Sequence, residues 1–466
     1  MALCSLAAWL SLSTQVQLLI GSRGLLPVAP LLESLQPVWR SFPSFLLLNA
    51  SDTMITAGIV VGVALSLLAL LGVWPRLSLL LCAPLYLSYV VAGREFLSFQ
   101  WDNLLIECLV VAAFVPRDRE SPGSHWVARL LLFKLYFESG IAKAQSVLGD
   151  WFDGSAMTFY YETAPLPAWP GWWAHHLPEF WHHIESFGAL GLELAGAVLV
   201  LGPRRARLTA LVGFSAFQLL NLVTANYGFF VYLALALHVF LLDDTDLERV
   251  ARRLRGPRFR AQPKRAARLQ LPAATRRYTA AVAGLLAVAW GTASLVTAVA
   301  HFAPSGELAE RASRWTQMWR VYRVANAYHL FGHITRERVE AEFQTQSEGR
   351  WRAHDLHYKP GDPLRAPPWV APHQPRVDFR LWFYGLNFRR ETPRYVVNLL
   401  DRICNDPDAV SGLFAAPLPS RPAAARIEYW RYQFTTPQQR AETQAWWRRE
   451  SLGATEPVDC SRFPRA

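Results

Sequence analysis

Residues 53–73, TMITAGIVVGVALSLLALLGV, run for 21 positions without one charged side chain. A helix of that length covers about 30 Å, the thickness of a bilayer's hydrocarbon core. Residues 278–302, YTAAVAGLLAVAWGTASLVTAVAHF, repeat the pattern without an Asp, Glu, Lys or Arg. In hydrocarbon every backbone N–H and C=O must be satisfied within the segment, so such runs fold as spanning helices. These two stretches decide the fold class, a polytopic α-helical membrane protein. Around them the sequence offers nine apolar stretches, near 4–20, 53–73, 77–93, 102–115, 126–142, 184–201, 208–223, 229–242 and 278–302. The first has neither a basic start nor a cleavage site and reads as a short span. Several are nearer 15 than 20 residues, so the number nine carries a margin of one or two spans.

The breaks between these stretches sort by charge. Pro75-Arg76, the segment from Arg117 to Arg129, Pro203 to Arg207 and the loop 243–277 are basic, and the last holds eleven Lys and Arg against four acids. With nine spans all four fall on one side, which the positive-inside rule assigns to the cytoplasm. The net charge of +11 is thus a topology signal rather than a nucleic-acid site. The other connections fall on the outer side: 21–52, the FQWD corner, the long outer loop 143–183, the ANYGFF corner and everything after 303. That side is periplasmic for a bacterial cytoplasmic membrane and lumenal in an endoplasmic reticulum. On this reading residues 1–302 form a transmembrane helical domain and residues 303–466 a small α+β domain outside the membrane.

In that second part VEAEFQTQ (339–346) alternates as a half-buried strand, with a second strand at 350–358 and a third in IEYWRYQF (427–434). Residues 377–404 read as helical. Thr436, Pro437 and Gln439 open a final helix that the spacing carries to Gly453. Cys404 and Cys460 can pair if this part faces an oxidising space.

Two sets of residues are candidates for function. Asp102, Glu107, Lys134, Glu138 and Glu193 lie within the apolar stretches, where charge is costly and often marks function. They suggest an outward-facing polar cleft, with packing pairs between helices as the simpler alternative. Asp102 itself is placed to cap the start of its helix. The second set is the rigid, aromatic and basic stretch YKPGDPLRAPPWVAPHQPRVDFRLWF (358–383), which offers Arg365, Trp369, Arg376 and Trp382 as a protein-binding surface or as a packed crossover loop. His175, His176, His182 and His183 lack the convergent spacing of a metal site and sit beside Trp169, Trp172, Trp173 and Trp181 in an aromatic belt. No signature of nucleophilic catalysis is present.

The motifs FQWDNLLIE (99–107), YYETAPLPAWPGWWAHHLP (160–178), ANYGFF (225–230), VANAYHLFGHITRERVEAE (324–342), the 358–383 stretch and WRYQFTTPQQRAETQAWWRRE (430–450) resemble the lipase maturation factor family, in order and over about residues 95–450. The family pattern has a histidine where this chain has Tyr160 and a glutamine where it has Ala164. The resemblance implies a multispan protein with its C-terminal region on the lumenal side, helping secreted lipases fold, with no small-molecule cofactor. The Ala-, Arg- and Trp-rich composition suits a bacterial-type member. The expected role is a chaperone-like maturation factor rather than an enzyme. Its partners would be an exported client protein, a lipase among the candidates, and the lipid bilayer. Client contacts are expected at Arg365, Trp369, Arg376, Trp382, Phe331-Gly332-His333, Tyr161 and Glu162. The alternative is a membrane-embedded enzyme acting on a lipid, quinone or protein at the polar cleft.

Overall fold

The computed structural model describes residues 1–36, 38–115, 122–255 and 273–462. The bundle runs α1 (Ala2–Ser13), α2 (Asp52–Leu70), α3 (Pro75–Ala92), α4 (Gln100–Phe114) and α5 (Pro122–Ala144). Three further helices follow: α6 (Ala156–Thr163), α7 (Trp169–His175) and α8 (Glu179–Gly191), the last continuing through a π turn at Leu192–Gly196. Then come α9 (Arg204–Thr224), α10 (Phe230–His238), α11 (Asp244–Arg255), α12 (Ala273–Phe302) and α13 (Glu307–Thr316).

Each apolar stretch is helical, but among the described residues four helices are long and apolar enough to cross a membrane: α2, α3, α9 and residues 280–302 of α12. α1 and Phe230–Leu241 are apolar and shorter. The difference from nine has a clear origin. α4 has 15 residues and two carboxylates, and α5 carries Arg129, Lys134, Glu138 and Lys143. α4 is also buried on every side from Trp101 to Leu109, as expected of a helix at the centre of a bundle rather than against lipid.

The basic connections meet at the end of the bundle away from the start of α4. Asp243 pairs with Arg129 and Arg207, Asp246 pairs with Arg204, and the Arg76 Nε donates to Ala113 O at 2.7 Å. Residues 117–121 of the segment from Arg117 to Arg129 and residues 256–272 of the loop 243–277 lie outside the described residues.

The C-terminal part is an antiparallel sheet in the order β2-β1-β3-β4, formed by β1 (Arg338–Ser347), β2 (Arg350–His354), β3 (Ala424–Phe434) and β4 (Trp447–Ala454), with β5 (Val458–Asp459) on β3. Two helices, α14 (Arg376–Leu386) and α15 (Arg394–Asn405), cover one face. The helical region read at 377–404 is thus broken, and α15 restarts after Pro393. Gly385 lies against the Val339 carbonyl, where a Cβ would sit 2.1 Å from the oxygen. The Cys404–Cys460 disulfide ties α15 to the tail.

Two expectations are corrected here. β1 is buried on both faces rather than one, because ion pairs cover Glu340 and Glu342. The capping box at Thr436 and Gln439 forms, yet its helix covers only Pro437–Thr443 and ends at Gln444 in a left-handed turn. Residues 447–454 form β4 instead. There Trp447 stacks on Phe434 at 4.3 Å and Arg449 reaches Glu342, so cross-strand pairing overrides helical propensity.

Candidate functional site: the seam between bundle and sheet

The two sets of candidates meet at one place. Asp102 does not cap its helix; Phe99 holds that position. The Asp102 carboxylate lies within the first turn, fully buried, and accepts both guanidinium arms of Arg376 at 2.7 and 2.9 Å. Tyr86 donates to the same carboxylate at 2.6 Å, and Arg376 also donates to the Phe96 carbonyl at 2.8 Å. Arg376 is therefore no surface residue. It is a fully buried clamp between the bundle and α14, and it offers nothing to a partner. The turn after α1 joins it through Gln15, whose Nε2 donates to Gln374 O and whose Oε1 accepts from Arg376 N.

Glu107, Lys134, Glu138 and Glu193 do not converge on an open cleft. Glu107 pairs with Lys134 at 3.0 Å, and Glu193, carried by the π turn, pairs with Lys143 at 2.7 Å. An irregular strap at 326–334 occupies the space between these pairs. The backbone N–H of Asn326 donates to Glu107, that of Tyr328 to Glu138 and that of Ile334 to Asp150, each at 2.7–2.8 Å. Lys143 donates to Leu330 O and the Trp151 indole to Gly332 O. A chain without secondary structure must find such partners when buried, and here the carboxylates of α4 and α5, with Asp150 beyond α5, supply them. The cluster thus reads as internal packing, and no ligand-sized cavity opens on it among the described residues.

The segment 143–183 joins the sheet in the same manner. Glu162 accepts the Phe434 N–H at 2.6 Å, and burial raises its carboxyl above the usual carboxylate range. Arg338 of β1 donates to the carbonyls of Glu162, Ala164 and Pro165. It also pairs with Glu340, whose other oxygen holds Lys359 at 2.8 Å. Burial pushes the Lys359 ammonium down to about 8 and the neighbouring Asp378 carboxyl up to about 7. Asn226 links three segments: its Nδ2 donates to Leu166 O and Pro368 O, and its Oδ1 accepts from Val370 N and Ala371 N.

The remaining client candidates divide by exposure. Arg365 donates to Leu356 O and Lys359 O, and Trp382 donates to Thr163 O at 2.9 Å. Tyr161 is buried with its hydroxyl on Glu185, Phe331 packs on Tyr227 and Tyr160, and Gly332 lies against Ala142. Only Trp369, 47 % exposed, and His333 face outward. Trp369 belongs to the segment that Asn226 fastens to Leu166 and Pro167, next to the exposed Trp169 and Trp173 of α7. Among the histidines, His182 pairs with Glu185 and His176 bonds to Trp172 O.

Sequence reasoning missed Arg338 and Asn226. Arg338 and Glu340 stand two apart on one strand face, which is a readable sign of a same-face ion pair. Asn226 lies in the corner ANYGFF, where a polar residue between aromatics is a sign of a backbone-bonding role.

An apolar helical bundle clamped by buried charge to a small sheet domain defines the class, an integral membrane protein with a C-terminal α+β part. The chain belongs to the lipase maturation factor family. The model of the family's transmembrane domain matches residues 1–249 and that of its C-terminal domain residues 324–457. Among curated relatives, lipase maturation factor 2 of Homo sapiens is 27 % identical over 95 % of this chain and 79 % of its own length. Lipase maturation factor 1 of Homo sapiens is 28 % identical over 94 % and 82 %. Lipase maturation factor 2 of Gallus gallus is 28 % identical over 97 % and 79 %. No solved structure matches the chain.

Proposed function

We propose that this protein is a membrane-bound maturation factor that helps an exported lipase, or a related secreted client, fold on the outer face of the membrane. Its relatives carry lipase maturation in their names. The observation that carries the reading for this chain is the exposed aromatic rim of Trp169, Trp173 and Trp369 at the seam. Tryptophan dominates binding hot spots, and apolar surface of this kind can hold the exposed hydrophobes of an unfinished client. His333 completes the accessible part of the expected client set. Arg365, Arg376, Trp382, Phe331, Gly332, Tyr161 and Glu162 act behind it, by fixing the segments that present the rim.

The division at residue 302, the nine-span arrangement and the outward placement of the sheet belong to the same proposal. The clustering of basic connections at the opposite end of the bundle supports that orientation. The Cys404–Cys460 disulfide supports an oxidising space for the C-terminal part. For a bacterial chain that space is the periplasm. Deleting the gene and measuring lipase activity per unit of secreted lipase protein tests the function. The proposal expects that ratio to fall, and an unchanged ratio across the secreted lipases overturns it.

A further inference from the structure

The far end of the bundle carries a feature that the maturation reading does not use. α11 (Asp244–Arg255) begins directly after the helical stretch that ends at Leu241, and its first turn is fixed in place. Asp246 is 5 % exposed and pairs with Arg204 and Arg249, while the preceding Asp243 pairs with Arg207 and Arg129. Beyond that anchored turn the helix leaves the bundle. Leu247, Val250 and Leu254 are 47, 51 and 82 % exposed. Their spacing of three and four residues puts them on one stripe of the helix. From Arg249 to Arg255 the helix has four arginines and no acid. Arg249 and Arg252 are exposed away from the apolar stripe, with side chains 60 % accessible.

We propose that α11 is an in-plane anchor whose leucine–valine stripe enters the membrane interface and whose arginines bind acidic phospholipid headgroups. A pronounced apolar stripe opposite a basic face, attached at the rim of a membrane bundle, is the physical description of an interfacial helix. Charge complementarity selects the occupant. Each arginine near an anionic leaflet adds about 1 kcal/mol of attraction, whereas a zwitterionic surface supplies only the apolar part.

The test uses the full chain in nanodiscs of phosphatidylcholine, with and without phosphatidylglycerol. Spin labels are placed by Leu254→Cys on the stripe and, separately, by Thr245→Cys on the exposed polar side. The chain's own thiols are buried or disulfide-bonded. The proposal expects the label at 254 to meet lipid-dissolved oxygen more than an aqueous nickel complex once phosphatidylglycerol is present. The label at 245 should show the reverse. Replacing one of Arg249, Arg252 or Arg253 by Gln should weaken the lipid association about fivefold. A label at 254 as water-accessible as that at 245 in both lipids overturns the proposal. Equal burial with and without phosphatidylglycerol, or arginine variants that leave the lipid dependence unchanged, overturns its acidic-lipid part.

Discussion

The seam and the rim lie side by side and use their residues in opposite ways. Along the seam, Asp102, Glu107, Glu138, Glu162, Arg338 and Arg376 are buried, and each has a partner from a distant part of the chain. On the rim, Trp169, Trp173 and Trp369 are between 44 and 58 % exposed. Charge that looked like chemistry serves attachment. Aromatic surface that looked like a membrane belt or a crossover loop stays exposed, and the proposed function assigns it to the client. The two depend on each other, because Asn226, Arg338 and Arg376 position the segments that carry the rim.

Breaking the seam should have the largest effect. Removing one partner of a buried, hydrogen-bonded ion pair leaves the other charge stranded, at a cost of about 3–5 kcal/mol. Arg376→Met should therefore lower the thermal unfolding temperature in detergent sharply. Adding Asp102→Leu to it should recover much of the loss, which distinguishes a stranded charge from lost packing. Glu138→Gln should cost less, about 1–3 kcal/mol. Its effect should be local, seen as faster hydrogen exchange at the Tyr328 amide while the β1 amides stay protected. A similar loss of protection across the whole sheet would mean that the strap is not an independent latch.

Acid should act more weakly. His354 accepts or donates at 2.7 Å with Thr345, and burial pushes its imidazole down to about 4 from the usual 6.5. Between those values the unfolded chain binds a proton that the folded chain does not, so, against the opposite contribution of Asp378, whose carboxyl is held near 7, the His354 part of the stability falls as pH drops from about 6.5 to about 4. His175, also held near 4 by burial, adds a loss of the same sign. His354→Gln should flatten the His354 part of this slope in denaturant titrations at pH 7 and pH 4.5. The smallest effect on stability belongs to the rim. Trp369→Ala should stay within about 0.5 kcal/mol of the parent, while lowering the activity of the secreted client.

The helices were legible in the sequence because hydropathy over some twenty residues leaves few alternatives in lipid. β1 and β3 were legible because their alternation is local. The tail was misread because capping residues announce where a helix starts and say little about where it stops. Trp447 and Arg449 then found partners on strands far away in sequence. The same limit applies to the seam. Asp102 and Arg376 were both singled out, yet they are 274 residues apart. Nothing local to either tells that they form one pair rather than parts of two sites. Exposure was equally invisible: Arg376 and Trp369 stand in one proline-rich stretch, and the fold buries one and presents the other.

The most direct test places a photocrosslinking amino acid at position 369 and, in a second variant, at position 376, in native membranes of cells secreting a lipase. The account predicts that the probe at 369 captures the newly exported lipase, while the probe at 376 yields only crosslinks within the chain. Lipase captured at 376, or only internal crosslinks at 369, would contradict it.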